Sequence, residues 1–115
     1  MNNRDAGYLW DMVQAITRVQ EFTKDLSYDD YLESHLVQSA VERKLEILGE
    51  ASGRISTDLR QANPNIDWKR MVGLRNILIH RYNDVETETI WFIVTSVLGP
   101  TKIQLEYLLP PISEV

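Results

Sequence analysis

Apolar residues recur every three or four positions along most of this chain, the spacing of one face of an α-helix. From Asp5 to about Lys24, Leu9, Met12, Ile16, Val19 and Phe22 form a stripe, with Asp11, Gln14, Arg18 and Glu21 off it. A second, longer helix is predicted from Asp30 to about Ile55, capped by Ser27 and burying Leu32, Leu36, Val37, Val41, Leu45, Leu48, Ala51 and Ile55. Asn63-Pro64-Asn65 breaks the pattern, because proline lacks the N–H and disfavours helix in the residue before it. A third helix follows from about Trp68 to Tyr82, ending at Asn83-Asp84. A fourth, capped by Asp84 or Thr87, runs from Glu86 to Leu109 with Ile90, Val94, Val97, Leu98, Leu105 and Leu108 inward. Gly99-Pro100 is expected to kink it and Pro110-Pro111 to stop it. No strand-like alternation or internal repeat intervenes. The predicted fold is all-α, an up-and-down antiparallel four-helix bundle with a kinked C-terminal helix, as a single domain over residues 1–115.

Composition narrows the class. The 115 residues are 43% hydrophobic and 25% charged, as in a soluble globular protein with one core. No apolar run reaches the length of a membrane span, residues 1–26 lack a signal-peptide layout, and cysteine is absent, which together fit a cytoplasmic location. The net charge of −5 argues against membrane surfaces as partners. Yet residues 68–82 carry Lys69, Arg70, Arg75 and Arg81 with no Asp or Glu. Such a cluster can be a helix's solvated face, or a local contact for a few phosphates; a sequence-blind nucleic-acid binder would spread its cations over a whole face.

Within that window, Arg75-Asn76-Ile77-Leu78-Ile79-His80-Arg81-Tyr82 sets an Arg, an Asn, a His and a Tyr into an apolar helical run. A core helix has no use for them. An arginine can neutralise a phosphate, a histidine can move a proton near neutral pH, and an amide and a phenol can fix both through hydrogen bonds. Together they point to chemistry on a phosphodiester. Helical spacing places Asn76 under His80 and Arg75 in line with Tyr82, whereas Arg75 and His80, five residues apart, diverge by about 140°. Either the last turn relaxes near Asn83 or a second copy of the chain completes the site, the latter favouring a two-fold homodimer.

Arg75-x4-His80-x-Tyr82 with Asn76 after the Arg, preceded by Pro64-x3-Trp68 and Gly49-Glu50-Ala51, resembles the HepT-like ribonuclease toxins of the HEPN superfamily. Arg4-Asp5, Tyr8-Leu9 and Trp91 extend the likeness over nearly the whole chain. The resemblance implies the toxin of a type VII-like toxin–antitoxin pair: a homodimeric all-α RNase acting on RNA, not DNA. Its implied partner is an antitoxin of the minimal nucleotidyltransferase (MntA-like) family, which transfers AMP onto the motif tyrosine, here Tyr82. Cleavage would be metal-independent, with a ribose 2′-hydroxyl attacking its own phosphate. His80 would act as general base or acid, with an ordinary pKa of about 6.5, and Arg75 would clamp the non-bridging oxygens. Asn76 would orient His80 or a phosphate oxygen, and Arg81, Lys69 and Arg70 would hold substrate. Glu50 is a candidate partner for Arg75; a solvated rung with Glu42 and Glu46, pairing to Arg54, is the other reading.

The remaining features read as structural. His35 is a surface residue without a ligand cluster around it, and no metal or cofactor is expected. Gly49 and Gly53 allow close helix packing, and Trp10, Trp68 and Trp91 anchor a core or an interface. The competing function is a non-catalytic HEPN-fold dimeric module that binds a nucleotidyltransferase and nucleotide or RNA without cutting.

Overall fold

The computed structural model describes residues 1–79 and 84–110, the side chains of Asp84 and Val85 excepted. Every element among them is helical: α1 Asn3–Thr23, α2 Tyr28–Glu33, α3 His35–Arg54, α4 Thr57–Ala62, α5 Trp68–Val72, α6 Leu74–Ile79, α7 Asp84–Phe92, a π turn Ile93–Val97, and α8 Leu98–Leu108. The all-α class holds, and the long predicted helices are divided more finely than periodicity indicates.

The core forms where α1 lies along α3, with α8 against α1 and the α5–α6 pair against α3. Leu9, Met12, Ile16 and Val19 of α1 and Val41, Leu45 and Leu48 of α3 are wholly inaccessible, so the two predicted stripes face each other. α2 is the first correction. Ser27 caps it as expected, in a reciprocal capping box with Asp30, but the helix stops at Glu33 and Ser34 caps α3 anew. The Gln38 side chain donates to the carbonyls of Tyr31 and Leu32 (2.9 and 3.0 Å), satisfying the end of α2. The corner turns Leu32 and Leu36 out of the predicted buried row, leaving Leu36 82% exposed. Tyr31 is buried in their place, its ring 5.0 Å from that of Trp91, which fastens α2 to α7.

Helix α4 is absent from the predicted set. Ser56 caps it, and its Oγ and N–H donate to the buried Asp5 carboxylate at 2.6 and 2.9 Å. That pair ties the start of α1 to the start of α4. After α4, Asn63 begins a turn with Pro64 at its second position, the Asn63 carbonyl accepting from the Ile66 N–H and from the Trp68 indole (3.2 and 3.0 Å). Trp68 is therefore a core anchor, with its polar end satisfied. Trp10 is half-exposed.

The last predicted helix starts two residues early, at Asp84, and passes through Gly99-Pro100 without a stop. Its irregularity lies one turn earlier. Pro100 has no N–H for the Ser96 carbonyl and its ring crowds that carbonyl, and the chain answers with the π turn, the Leu98 N–H bonding the Ile93 carbonyl. Leu109, extended before Pro110, ends α8.

Candidate active site

The basic stretch begins at α5, where the Asp67 side chain caps the helix by accepting from the Arg70 N–H at 3.1 Å. Asp67 also pairs with the Arg70 guanidinium at 3.7 Å, while Lys69 and Arg70 both face solvent. Gly73 then interrupts the predicted continuous helix, and α6 starts afresh at Leu74 with a tight Asn76 N–H to Gly73 carbonyl bond of 3.1 Å. Leu74 and Met71 are buried against α3, whereas Lys69, Arg70, Arg75 and Asn76 on either side of them in sequence are exposed.

Close approach of α5 and α6 to α3 depends on Gly49. A Cβ there would stand 3.2 Å from the Met71 carbonyl oxygen and 3.7 Å from Leu74 Cβ. Gly53 is different: a Cβ there would meet nothing within 4 Å, so the packing role expected of both glycines belongs to Gly49 alone. This contact brings Arg75 over the outer face of α3.

Arg75 lies between two grooves. One, of about 310 Å³, is lined by Glu46, Gly49, Glu50, Gly53, Val72 and Arg75. The other, of about 410 Å³, is formed by Ser39, Glu42, Arg43 and Glu46 with Arg75, Leu78 and Ile79. Glu50 and Arg75 thus share a wall. The ion pairs among the described residues are Arg18–Glu21, Arg43–Glu46 and Arg70–Asp67, so Arg75 is exposed and carries no carboxylate partner there, and Glu46 turns to Arg43 rather than Arg54. An unpaired guanidinium above a polar groove keeps all five donors available to an incoming anion.

Asn76 faces elsewhere, into a groove of about 790 Å³ on the side of Pro64, Trp68 and Lys69. Arg75 and Asn76 thus serve different surfaces, as their 100° separation on a helix requires. His80, Arg81 and Tyr82 lie outside the described residues. Ile79 ends α6 immediately before them, half-exposed beside Arg75.

His35 is an exposed residue that shares a small groove with Tyr31, Glu42 and Thr87 at the foot of α7. Burial, aided by the negative charge of Glu42, pushes the Tyr31 phenol well above the usual tyrosine range. Among the described residues no three His, Cys, Asp or Glu side chains are grouped to hold a metal ion, and no helix is long and apolar enough to cross a membrane.

Residues 12–108 match the family model described as ribonuclease HepT-like. A candidate RNase of Methanocaldococcus jannaschii is 42% identical over 107 residues, covering 92% of this chain and 98% of that protein. A protein of Thermococcus cleftensis with the name ribonuclease HepT is 36% identical over 108 residues, 94% of this chain and 98% of its own. A further candidate RNase of Methanocaldococcus jannaschii is 31% identical over 115 residues and spans 99% of both. No solved structure matches. An all-helical chain that is matched by the family model over its core and is similar end to end to such proteins belongs to the HepT-like ribonuclease family of HEPN proteins.

Proposed function

We propose that this chain is the toxin of a HEPN toxin–antitoxin pair, an endoribonuclease that cuts RNA without a metal ion and is silenced by adenylylation of Tyr82. The observation that carries the reading is Arg75: exposed, without a carboxylate partner among the described residues, and on a short helix that leads into His80. That is the placement an oxyanion-stabilising cation needs. His80 removes the proton from a ribose 2′-hydroxyl, the oxygen attacks the adjacent phosphorus, and the bond from phosphorus to the 5′ oxygen breaks. The leaving oxygen takes up a proton, which leaves a 2′,3′-cyclic phosphate and a 5′-hydroxyl. Arg75 offers its fork to the non-bridging oxygens, where charge grows in the transition state. Lys69, Arg70 and Arg81 hold the flanking backbone, and Asn76 and Glu50 support the site from its two sides. A second copy of the chain completes the site, because helical spacing of the sequence would set Arg75 and His80 on diverging faces.

The test is incubation of purified protein with total RNA, with and without EDTA, alongside His80→Ala and Arg75→Ala. Cleavage that is insensitive to EDTA and lost by about 10²-fold or more in each variant, with helical circular dichroism unchanged, is the expected outcome. Undiminished cleavage in His80→Ala, or a requirement for added divalent metal, overturns the mechanism. Absence of cleavage in the unmodified wild type favours the non-catalytic interaction module.

A further inference from the structure

The Pro64-x3-Trp68 motif takes no part in the chemistry above, yet it lines a concavity of about 790 Å³ between the α4–α5 turn and α6. That lies within the range of about 300–1,000 Å³ common to small-molecule sites. Its floor is apolar, since Ile66 and Trp68 are buried and Val72 forms one wall. Its rim is polar and cationic. Arg60 enters from α4 with its guanidinium pinned, Nη2–H donating to the Ser52 carbonyl at 2.9 Å and Nε buried without a partner. Lys69 lines the groove from α5, and Asp67, the groove's one acid, is engaged by the α5 cap and by Arg70. The amides of Asn65 and Asn76 line the same groove, both residues are exposed, and neither side chain makes a hydrogen bond among the described residues.

We propose that this groove is a nucleotide subsite, in which Asn65 and Asn76 read the base of the nucleotide flanking the scissile phosphate while Arg60 and Lys69 take its phosphates. Single-stranded RNA is recognised in this way, by apolar contact with the base faces and hydrogen bonds to their edges, with cations along the backbone. An amide presents a donor and an acceptor side by side, which matches a base edge and does not match a phosphate. Continuity with the site is set by sequence: Asn76 stands four residues before His80, so a nucleotide seated against Asn76 would lie close along the chain to the bond that His80 would cut. The identity of the ligand rests on the ribonuclease reading.

Binding can be measured apart from cleavage with 2′-O-methyl RNA hexamers, which lack the attacking hydroxyl. Fluorescein-labelled A, C, G and U homohexamers are titrated by anisotropy into the wild type, Asn65→Ala, Lys69→Ala and the remote control Arg18→Ala. The wild type is expected to prefer one base by about tenfold. Asn65→Ala should reduce that preference to within about twofold. Lys69→Ala should weaken all four alike and flatten the slope of log affinity against log salt by about 0.7. Arg18→Ala should change nothing. Groove variants that bind and discriminate like the wild type, or a wild type that binds no hexamer or prefers none, overturn the subsite. A protein that cuts no RNA in the cleavage assay yet shows this pattern retains the subsite and loses the ribonuclease reading; one that cuts with unaltered groove variants does the reverse.

Discussion

Tyr82 carries the proposed control point, and the other tyrosines supply its internal comparison. Tyr107 is 86% exposed on α8, so access alone would make it an AMP acceptor. Tyr31 is buried and its phenol is held protonated, which removes it as a nucleophile. What distinguishes Tyr82 is charge: Arg75 and Arg81 precede it and can receive the transferred phosphate. After incubation with ATP, Mg²⁺ and the partner nucleotidyltransferase, mass spectrometry should map the adduct to Tyr82, and Tyr82→Phe should stay toxic and unmodified. An adduct on Tyr107 would show that exposure, not the basic surroundings, selects the residue. Asp5 acts at the same scale by another route. Asp5 is 3% exposed and its carboxylate accepts both Ser56 donors, so Asp5→Ala leaves the partly buried Ser56 hydroxyl and N–H without this partner and should cost about 1 kcal/mol in urea unfolding. Because Ser56 caps the helix that carries Arg60, the same variant should also weaken RNA binding more than its effect on stability accounts for.

At the scale of helices, two glycines in α3 separate propensity from packing. Replacing either by Ala contributes up to about 1 kcal/mol of helix propensity. At Gly53 nothing opposes the gain, and Gly53→Ala should raise stability. At Gly49 the new methyl presses on the Met71 carbonyl, a backbone atom of α5 that cannot rotate away. Gly49→Ala should therefore be less stable than Gly53→Ala by about 1–3 kcal/mol in parallel urea titrations, and should lose activity by displacing Arg75 from its grooves. Equal stabilities for the two would remove Gly49 as the spacer. This contrast also marks what the sequence could tell. Apolar stripes of α1 and the core half of α3 are periodic over several turns, so their facing surfaces were readable. Ser34 was not, because Leu32, Leu36 and Val37 continue the helical period straight through the corner that Gln38 closes. Helix α4 has Leu59 as its one large apolar residue and leaves no stripe. Glu50 is a candidate partner for Arg75 from the sequence, and the tertiary approach at Gly49 sets both along one groove without an ion pair between them. By contrast, the separation of Arg75 from Asn76 follows from helical geometry alone.

The whole molecule raises the question of what covers its exposed apolar residues near the site. Ile79 is 54% exposed beside Arg75, and Leu36 is 82% exposed one turn before Ser39, a residue of the same groove. A solvent-facing leucine and isoleucine, next to two site residues that helical spacing would set on diverging faces, would be accounted for together by a two-fold partner. The partner's own copy of the face would cover them and bring a second histidine toward Arg75. Light scattering at micromolar concentration should give twice the chain mass of 13.4 kDa. Leu36→Glu and Ile79→Glu, each placing a charge where the partner's apolar face would sit, should yield folded monomers with cleavage lost. Mixing His80→Ala with Arg75→Ala separates a shared site from mere pairing: heterodimers would contain one site with both residues intact, and up to about a quarter to a half of wild-type cleavage should return as subunits exchange. Inactivity of the mixture despite proven heterodimers, or full cleavage by a Leu36→Glu monomer, would place the whole site within one chain and assign the exposed leucine and isoleucine to some other surface.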